Sequence, residues 1–366
     1  MTRLQHYGWD VSPYSAKTRA YLRFKGIPHD DVHPTAWQLA RRIQGAVGRM
    51  IMPTVELPDG TWLQDTSDII DALEQAWPEP TITPSGPRQR LAALLLELHA
   101  DEWLPTLVMH TRWNVPANAA FARREFAREG FPWLPRFLGE QLVSPMWKKM
   151  SGYRGILGIR GDTTEGIERF GKELIARLDA HLAAHDYLLG GRPCIGDFAL
   201  FGPLWSHVWR DPGTRDWFAD APAVVAWFER LQSPPPSPGD FLPDDAVPAT
   251  LDPILTTLFA EQGAFVADLL AKIDAWCGAN PGATRVPRSL GDHDFTIGGC
   301  AGQRRLITFT QWMAQRSLDA YAALSEAERA AVDPWLAALG GLDLLRTPIR
   351  HRFVRRGFAM GLETPA

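Results

Sequence analysis

Ser12-Pro13-Tyr14-Ser15-Ala16-Lys17-Thr18-Arg19 opens the first helix of this chain. Ser12 is a good N-cap, and Pro13 suits the first helical position because the N–H it lacks would be unpaired there anyway. Leu22 and Phe24 then fall on the apolar side of the following turns, so the pattern predicts a helix over residues 13–25. A hydroxyl held at a helix N-terminus beside unpaired backbone N–H groups stabilises an anion, a bound thiolate among them. The same residues also make an ordinary cap, so the segments on either side carry the decision.

Upstream, residues 3–7 read as a short strand; downstream, Gly26-Ile27-Pro28 ends the helix ahead of an extended segment over 29–33. Residues 37–47 read as a helix, 54–57 and 61–63 as a hairpin around Pro58-Asp59-Gly60, and 66–75 as another helix. A βαβ half followed by ββα is the thioredoxin-like order. Four prolines and a glycine between Pro78 and Pro87 make a linker. Beyond it the pattern predicts an all-helical domain. A long apolar-striped helix covers 88–113, an amphipathic one covers 121–129, and Asp162 with Glu165 reads as a capping box for a helix reaching 185. Helices over 195–209 and 222–231 complete it. The proline-rich joint at 233–239 precedes a third, mostly helical region with helices near 251–277, 302–322 and 326–339, the last capped by Ser325 and Glu328. The expected division is 1–77, 88–232 and 249–366.

Composition narrows the class. With 366 residues the chain can bury two or three cores. A net charge of −4 lacks the basic footprint of a general nucleic-acid binder. The three cysteines, Cys194, Cys277 and Cys300, are far apart and form no CxxC pair, so neither a disulfide framework nor a metal site is expected. The first ten residues lack a basic region followed by an apolar run, and no apolar stretch reads as a membrane span. The expectation is a soluble, cytoplasmic protein.

The layout resembles the soluble glutathione transferase family over about residues 1–232, and three motifs carry the resemblance. The first is Ser12–Arg19 with Tyr21, Leu22 and Gly26-Ile27-Pro28; serine- and cysteine-class members carry their catalytic Ser or Cys at the position of Ser12. The second is Met52-Pro53-Thr54-Val55, matching the family's Val-Pro segment with its cis proline and a preceding backbone that pairs with the cysteinyl part of glutathione. The third is Leu63-Gln64-Asp65-Thr66-Ser67-Asp68-Ile69, where Asp65 and Thr66 match the acid and hydroxyl that grip the γ-glutamyl ammonium and carboxylate. A fourth segment, Leu188–Ala199, matches the family's buried helix cap, with Asp197 in the capping place and Cys194 replacing the usual hydroxyl.

The resemblance implies a thioredoxin-like glutathione-binding domain, a helical substrate domain and a homodimer. It also implies a detoxification-type transferase with glutathione as co-substrate, whose thiolate attacks an apolar electrophilic small molecule. Conjugation, dehalogenation, ether cleavage and isomerisation all remain open, as does a non-catalytic binding or interaction module on the same fold. The chemistry needs such residues: a free thiol titrates near about 8.5, so little is thiolate at neutral pH. A hydroxyl donor at a helix N-terminus lowers that value by roughly one to several units. With Ser12 and Ser15 in place of a cysteine pair, the protein would stabilise a ligand's thiolate without supplying one.

Two departures matter. Ile51 and Met50 stand where relatives often place a basic residue for the glycyl carboxylate, leaving Arg49 or Gln44 to reach it. The region after residue 240 exceeds typical members, and its 293–299 and 303–305 segments read as a capping piece or as a loop over the cleft. Tyr7, the catalytic tyrosine position of other classes, reads here as a core or loop aromatic. His110, Arg112 and Trp113 fall where the resemblance places an electrophile pocket, or pack at a helix end. His181 and His185 read as an exposed pair, and Arg346, Arg350, Arg352, Arg355 and Arg356 as an ion-paired or solvated basic end.

Overall fold

The computed structural model describes residues 3–235 and 237–363. β1 (Leu4–Tyr7), α1 (Pro13–Phe24) and β2 (His29–Val32) form the first half, with β1 and β2 parallel. A helix over 36–47, α2, has a π-turn in its middle and opens on a Thr35–Gln38 capping box. β3 (Thr54–Glu56), β4 (Trp62–Gln64) and α3 (Thr66–Ala76) follow. The sheet order β2-β1-β3-β4, with β3 antiparallel to both neighbours, is the thioredoxin-like order expected.

The helical domain comprises α4 (Pro87–Glu102), α5 (Leu104–Asn114), α6 (Pro116–Gly130), α7 (Arg136–Leu142), α8 (Ser144–Ile156), α9 (Thr164–Leu182), α10 (Ile195–Pro203, extended by a π-turn to Trp209) and α11 (Pro222–Gln232). Three expectations need correcting. The helix expected over 88–113 breaks at Trp103, because Pro105 near the start of α5 cannot donate to the preceding turn. Asp162 and Glu165 form no capping box: Thr163 is the N-cap of α9, and Glu165 pairs with Arg169 at 2.8 Å. His181 is buried and pairs with Thr250 at 2.7 Å, since its face of α9 packs inward. The Asp197 cap stands: its carboxylate accepts from the N–H groups of Cys194 at 2.9 Å and Leu188 at 3.1 Å, and from the Trp227 indole at 3.0 Å.

The third region contains α12 (Ala249–Ala279), β5 (Ser289–Ile297), β6 (Cys300–Ile307), α13 (Phe309–Ala322), α14 (Glu326–Ala338), α15 (Leu342–Leu345), β7 (Phe353–Arg356) and β8 (Ala359–Leu362). It is mostly helical, but residues 302–307 are strand and not helix, so the helix expected from 302 begins at Phe309. Alternation explains this: Arg304 and Leu306 point inward, Arg305 outward, and Gly298-Gly299 turn the chain at positive φ. The 293–299 segment is thereby the β5–β6 turn and its first strand, packed on α12 and α9, and does not form a loop over the cleft. α12 is long and apolar enough to cross a membrane by length and composition alone; 56% of its most apolar window is buried inside the protein. Leu255, Leu258, Phe265, Leu269 and Ile273 supply that buried face.

One continuous core joins all three regions. α4, buried on nearly every side, lies at its centre between α10 and α13. A smaller apolar cluster, built on Tyr7, Trp9, Val11, Ile43, Phe126 and Val143, lies beside the first domain's helix starts.

Candidate functional site

Cross-strand register brings the three motifs together. Tyr7 pairs with Thr54 and Thr54 pairs with Gln64, so one row across the sheet ends β1, starts β3 and ends β4. The Ser12 loop, Met52-Pro53 and Asp65-Thr66 each leave the sheet next to that row. Ser12 caps α1 in extended backbone (φ −97°, ψ 120°), and its oxygen accepts from the Ser15 N–H at 3.2 Å. The hydroxyl proton remains available to a ligand. The Met52–Pro53 bond is cis, as the resemblance implied. Met52 lies just outside the β1–β3 ladder, where its backbone can take up an extended ligand.

Asp65 is the N-cap of α3, accepts from the Ser67 N–H at 3.2 Å, and stands at φ 82°, ψ 133°. Thr66 opens the helix, where backbone N–H groups lack intrahelical partners. An ammonium against Asp65 and a carboxylate against the α3 N-terminus is what the positions of these groups favour. Asp68, one turn in, has its carboxyl pushed up to about 6 by burial, against the pull of Arg355.

The partners of several neighbours were not readable from the sequence. Arg112, fully buried, grips Asp211 at 2.8 and 2.7 Å and donates to the Val11 carbonyl at 2.6 Å, one residue before Ser12. It therefore ties the Ser12 loop to the helical domain. His110 bonds Glu168 at 3.2 Å and Trp113 stacks on Trp147 at 6.3 Å, so all three residues are packing or positioning groups. Lys17 is an internal cation, donating to Glu97 at 2.8 Å and Asp101 at 2.6 Å. Ser67 and Arg316 also bind Glu97, at 2.7 and 2.9 Å, which locks α1, α3, α4 and α13 together.

Tyr7 donates to Glu56 at 2.9 Å and stacks on Trp62 at 5.3 Å; burial and that carboxylate push its hydroxyl up to about 12. The basic end is ion-paired: Arg346 meets Asp333, Arg350 meets Asp274, Arg352 meets Asp319 and Arg355 meets Asp68. The sequence singled out Arg112 and the basic end that holds Arg355 but not their partners, which lie about 100 and 290 residues away.

Asp10, His33 and Glu129 bring ligand atoms within 4.8 Å of one another. His33 already bonds Glu129 at 2.7 Å and Asp10 meets Arg19 at 3.1 Å, so ion pairing accounts for the grouping.

Two family models match the chain: the glutathione S-transferase N-terminal domain over residues 11–76, and the glutathione S-transferase C-terminal domain over residues 171–230. Residues 11–76 and 171–230 are thus similar to the two domains of glutathione S-transferases. No curated protein matches the chain in sequence. Among solved structures it is similar to the β-etherase LigF from Sphingobium sp. strain SYK-6, at 20% identity, TM-score 0.45, covering 64% of this chain and 96% of that one. A glutathione S-transferase from Methylobacterium radiotolerans JCM 2831, in complex with glutathione sulfonate, matches at 24% identity and TM-score 0.41, covering 64% and 92%. FzlA from C. crescentus matches at 17% identity and TM-score 0.42, covering 68% and 96%. The third region lies beyond both matched segments.

Proposed function

We propose that the chain binds glutathione and activates its thiol for attack on an apolar electrophilic small molecule. The observation that carries this reading is the row Tyr7–Thr54–Gln64, which brings Ser12, cis-Pro53 and the Asp65-Thr66 helix start to one end of the strands. Ser12 donates to the sulfur and the α1 N-terminus adds positive potential; a drop of about two units in thiol pKa corresponds to about 2.7 kcal/mol of preferential thiolate stabilisation. Met52 backbone, Pro53, Asp65 and Thr66 hold the tripeptide. The apolar partner substrate is what the family resemblance implies; the apolar cluster beside the Ser12 loop, including Trp9, Val11 and Phe126, is itself buried.

The test is the ultraviolet absorbance of bound thiolate against pH, for wild type and Ser12→Ala. Loss of the donor should raise the bound thiol's pKa by about one to two units and cut turnover about 10- to 100-fold near pH 7, with glutathione still bound. Unchanged thiolate formation in Ser12→Ala would remove Ser12 from the mechanism. A wild-type protein that binds no glutathione would favour the alternative, a non-catalytic module on the same fold. One observation lends that alternative weight: the C-terminal hairpin already engages the site's acids.

A further inference from the structure

Arg355, on β7, reaches across to the first domain from about 290 residues downstream. Its guanidinium donates to Asp68 Oδ2 at 2.7 Å, to the Gln64 carbonyl at 3.0 Å and to Gln64 Oε1 at 2.6 Å, and stands 3.9 Å from Asp65 Oδ2. That is a cation in the place assigned above to the γ-glutamyl ammonium. At the hairpin's turn, after Gly357 at φ 61°, the Phe358 carbonyl accepts from Arg49, which with Gln44 is left to meet a glycyl carboxylate. Phe358 also packs against the apolar cluster that Ile51 and Met52 pack against. One short hairpin thus engages the amino end and the glycyl end of the site.

We infer that the β7–β8 hairpin is a built-in occupant of the tripeptide site. Its guanidinium and turn carbonyl stand in for the two charged ends of glutathione, and the tripeptide binds as the hairpin tip lifts away. This rests on the glutathione reading of the site. Arg355 already takes Asp68 Oδ2 and both Gln64 oxygens and stands 3.9 Å from Asp65 Oδ2, so an ammonium entering there competes with it for these acceptors.

The hairpin is anchored at both ends. Its base is tied to α13 and to the loop between α12 and β5: Phe353 exchanges two hydrogen bonds with Gln315 at 2.8 and 3.0 Å, and Leu362 donates to the Thr284 carbonyl at 2.8 Å. In its outer half Arg355 and Phe358 bond the first domain. Lifting the tip breaks these bonds and need not break those of the base.

The experiment is a calorimetric titration of the full chain with glutathione, for wild type, Arg355→Ala and Phe358→Gly, paired with amide hydrogen exchange of residues 353–362 with and without saturating glutathione. Phe358→Gly leaves every charged group of the site intact and guards against a folding defect in the other variant. The expected result is at least tenfold tighter binding by Arg355→Ala, tighter binding by Phe358→Gly, and faster exchange across the wild-type hairpin when glutathione is bound. Equal or weaker binding by both variants, or a hairpin that gains protection on binding, overturns the occupant while leaving the glutathione reading intact. Glutathione binding by none of the three proteins overturns both.

Discussion

At Asp65 the backbone occupies φ 82°, ψ 133°, a region that non-glycine residues enter at a cost on the order of 1–3 kcal/mol. Such strain survives only where something needs the side chain there. Capping does not require it, since a glycine N-cap loses only a few tenths of a kcal/mol by the usual measure. The consequence for Asp65→Gly is a split outcome. Thermal unfolding should occur at an unchanged or higher temperature, because relief of strain offsets the lost cap and the extra freedom of the unfolded glycine. Glutathione affinity should fall at least tenfold, since a charge-assisted hydrogen bond contributes about 1.5–3 kcal/mol. A lower melting temperature with affinity intact would make Asp65 a structural residue. The sequence already named Ser12, Pro53, Asp65 and Thr66, because the motif spacing is local. It could not name Arg355, which nothing local distinguishes from the four other arginines of the same tail.

At the scale of elements, α10 sets how closely the two matched domains meet. A Cβ at Gly202 would lie 2.4 Å from the Pro13 carbonyl oxygen, a backbone atom that cannot rotate away. Every residue of α10 is buried, so the helix has no room to retreat. Gly202→Ala should therefore cost about 1–3 kcal/mol, read as a lower urea midpoint at constant slope. It should also shift the first turn of α1 and raise the pKa of a bound thiol, although it touches no ligand. Wild-type stability in that variant would mean that α1 and α10 are looser than their geometry. Helix existence was legible here from periodicity. The break at Trp103 and the missing Asp162–Glu165 box were not, because a 3.6-residue stripe continues through a proline restart and a capping pattern says nothing about which residue the chain uses.

Across the whole molecule, the third region does more than extend the helical bundle. Its strands were hidden because β5 and β6 carry charges on their outward faces and Arg304 on the inward one, so alternation does not read as apolar and polar. Arg304 is buried over the Trp103 and Phe265 rings, at 4.5 and 4.6 Å from their centroids. The nearby Glu102, at the end of α4, accepts from Thr310 of α13, so the second and third regions meet on this carboxyl. Burial pushes it up to about 8 from an ordinary value of 4.5, with Thr310 and Arg304 pulling the other way and Asp101 adding to the rise. The folded chain then holds a proton that the unfolded chain releases between about pH 4.5 and 8. Its contribution to stability is full below the unfolded value and is lost as pH rises through the folded one. Glu102→Gln keeps an oxygen for Thr310 and carries no charge at any pH. Relative to this variant, the wild type should lose stability as pH rises from 5 to 8, by at most about 1.4 kcal/mol per pH unit. Urea unfolding of both proteins at several pH values measures the difference, and parallel profiles would mean that Glu102 ionises in the folded protein as readily as in the unfolded chain.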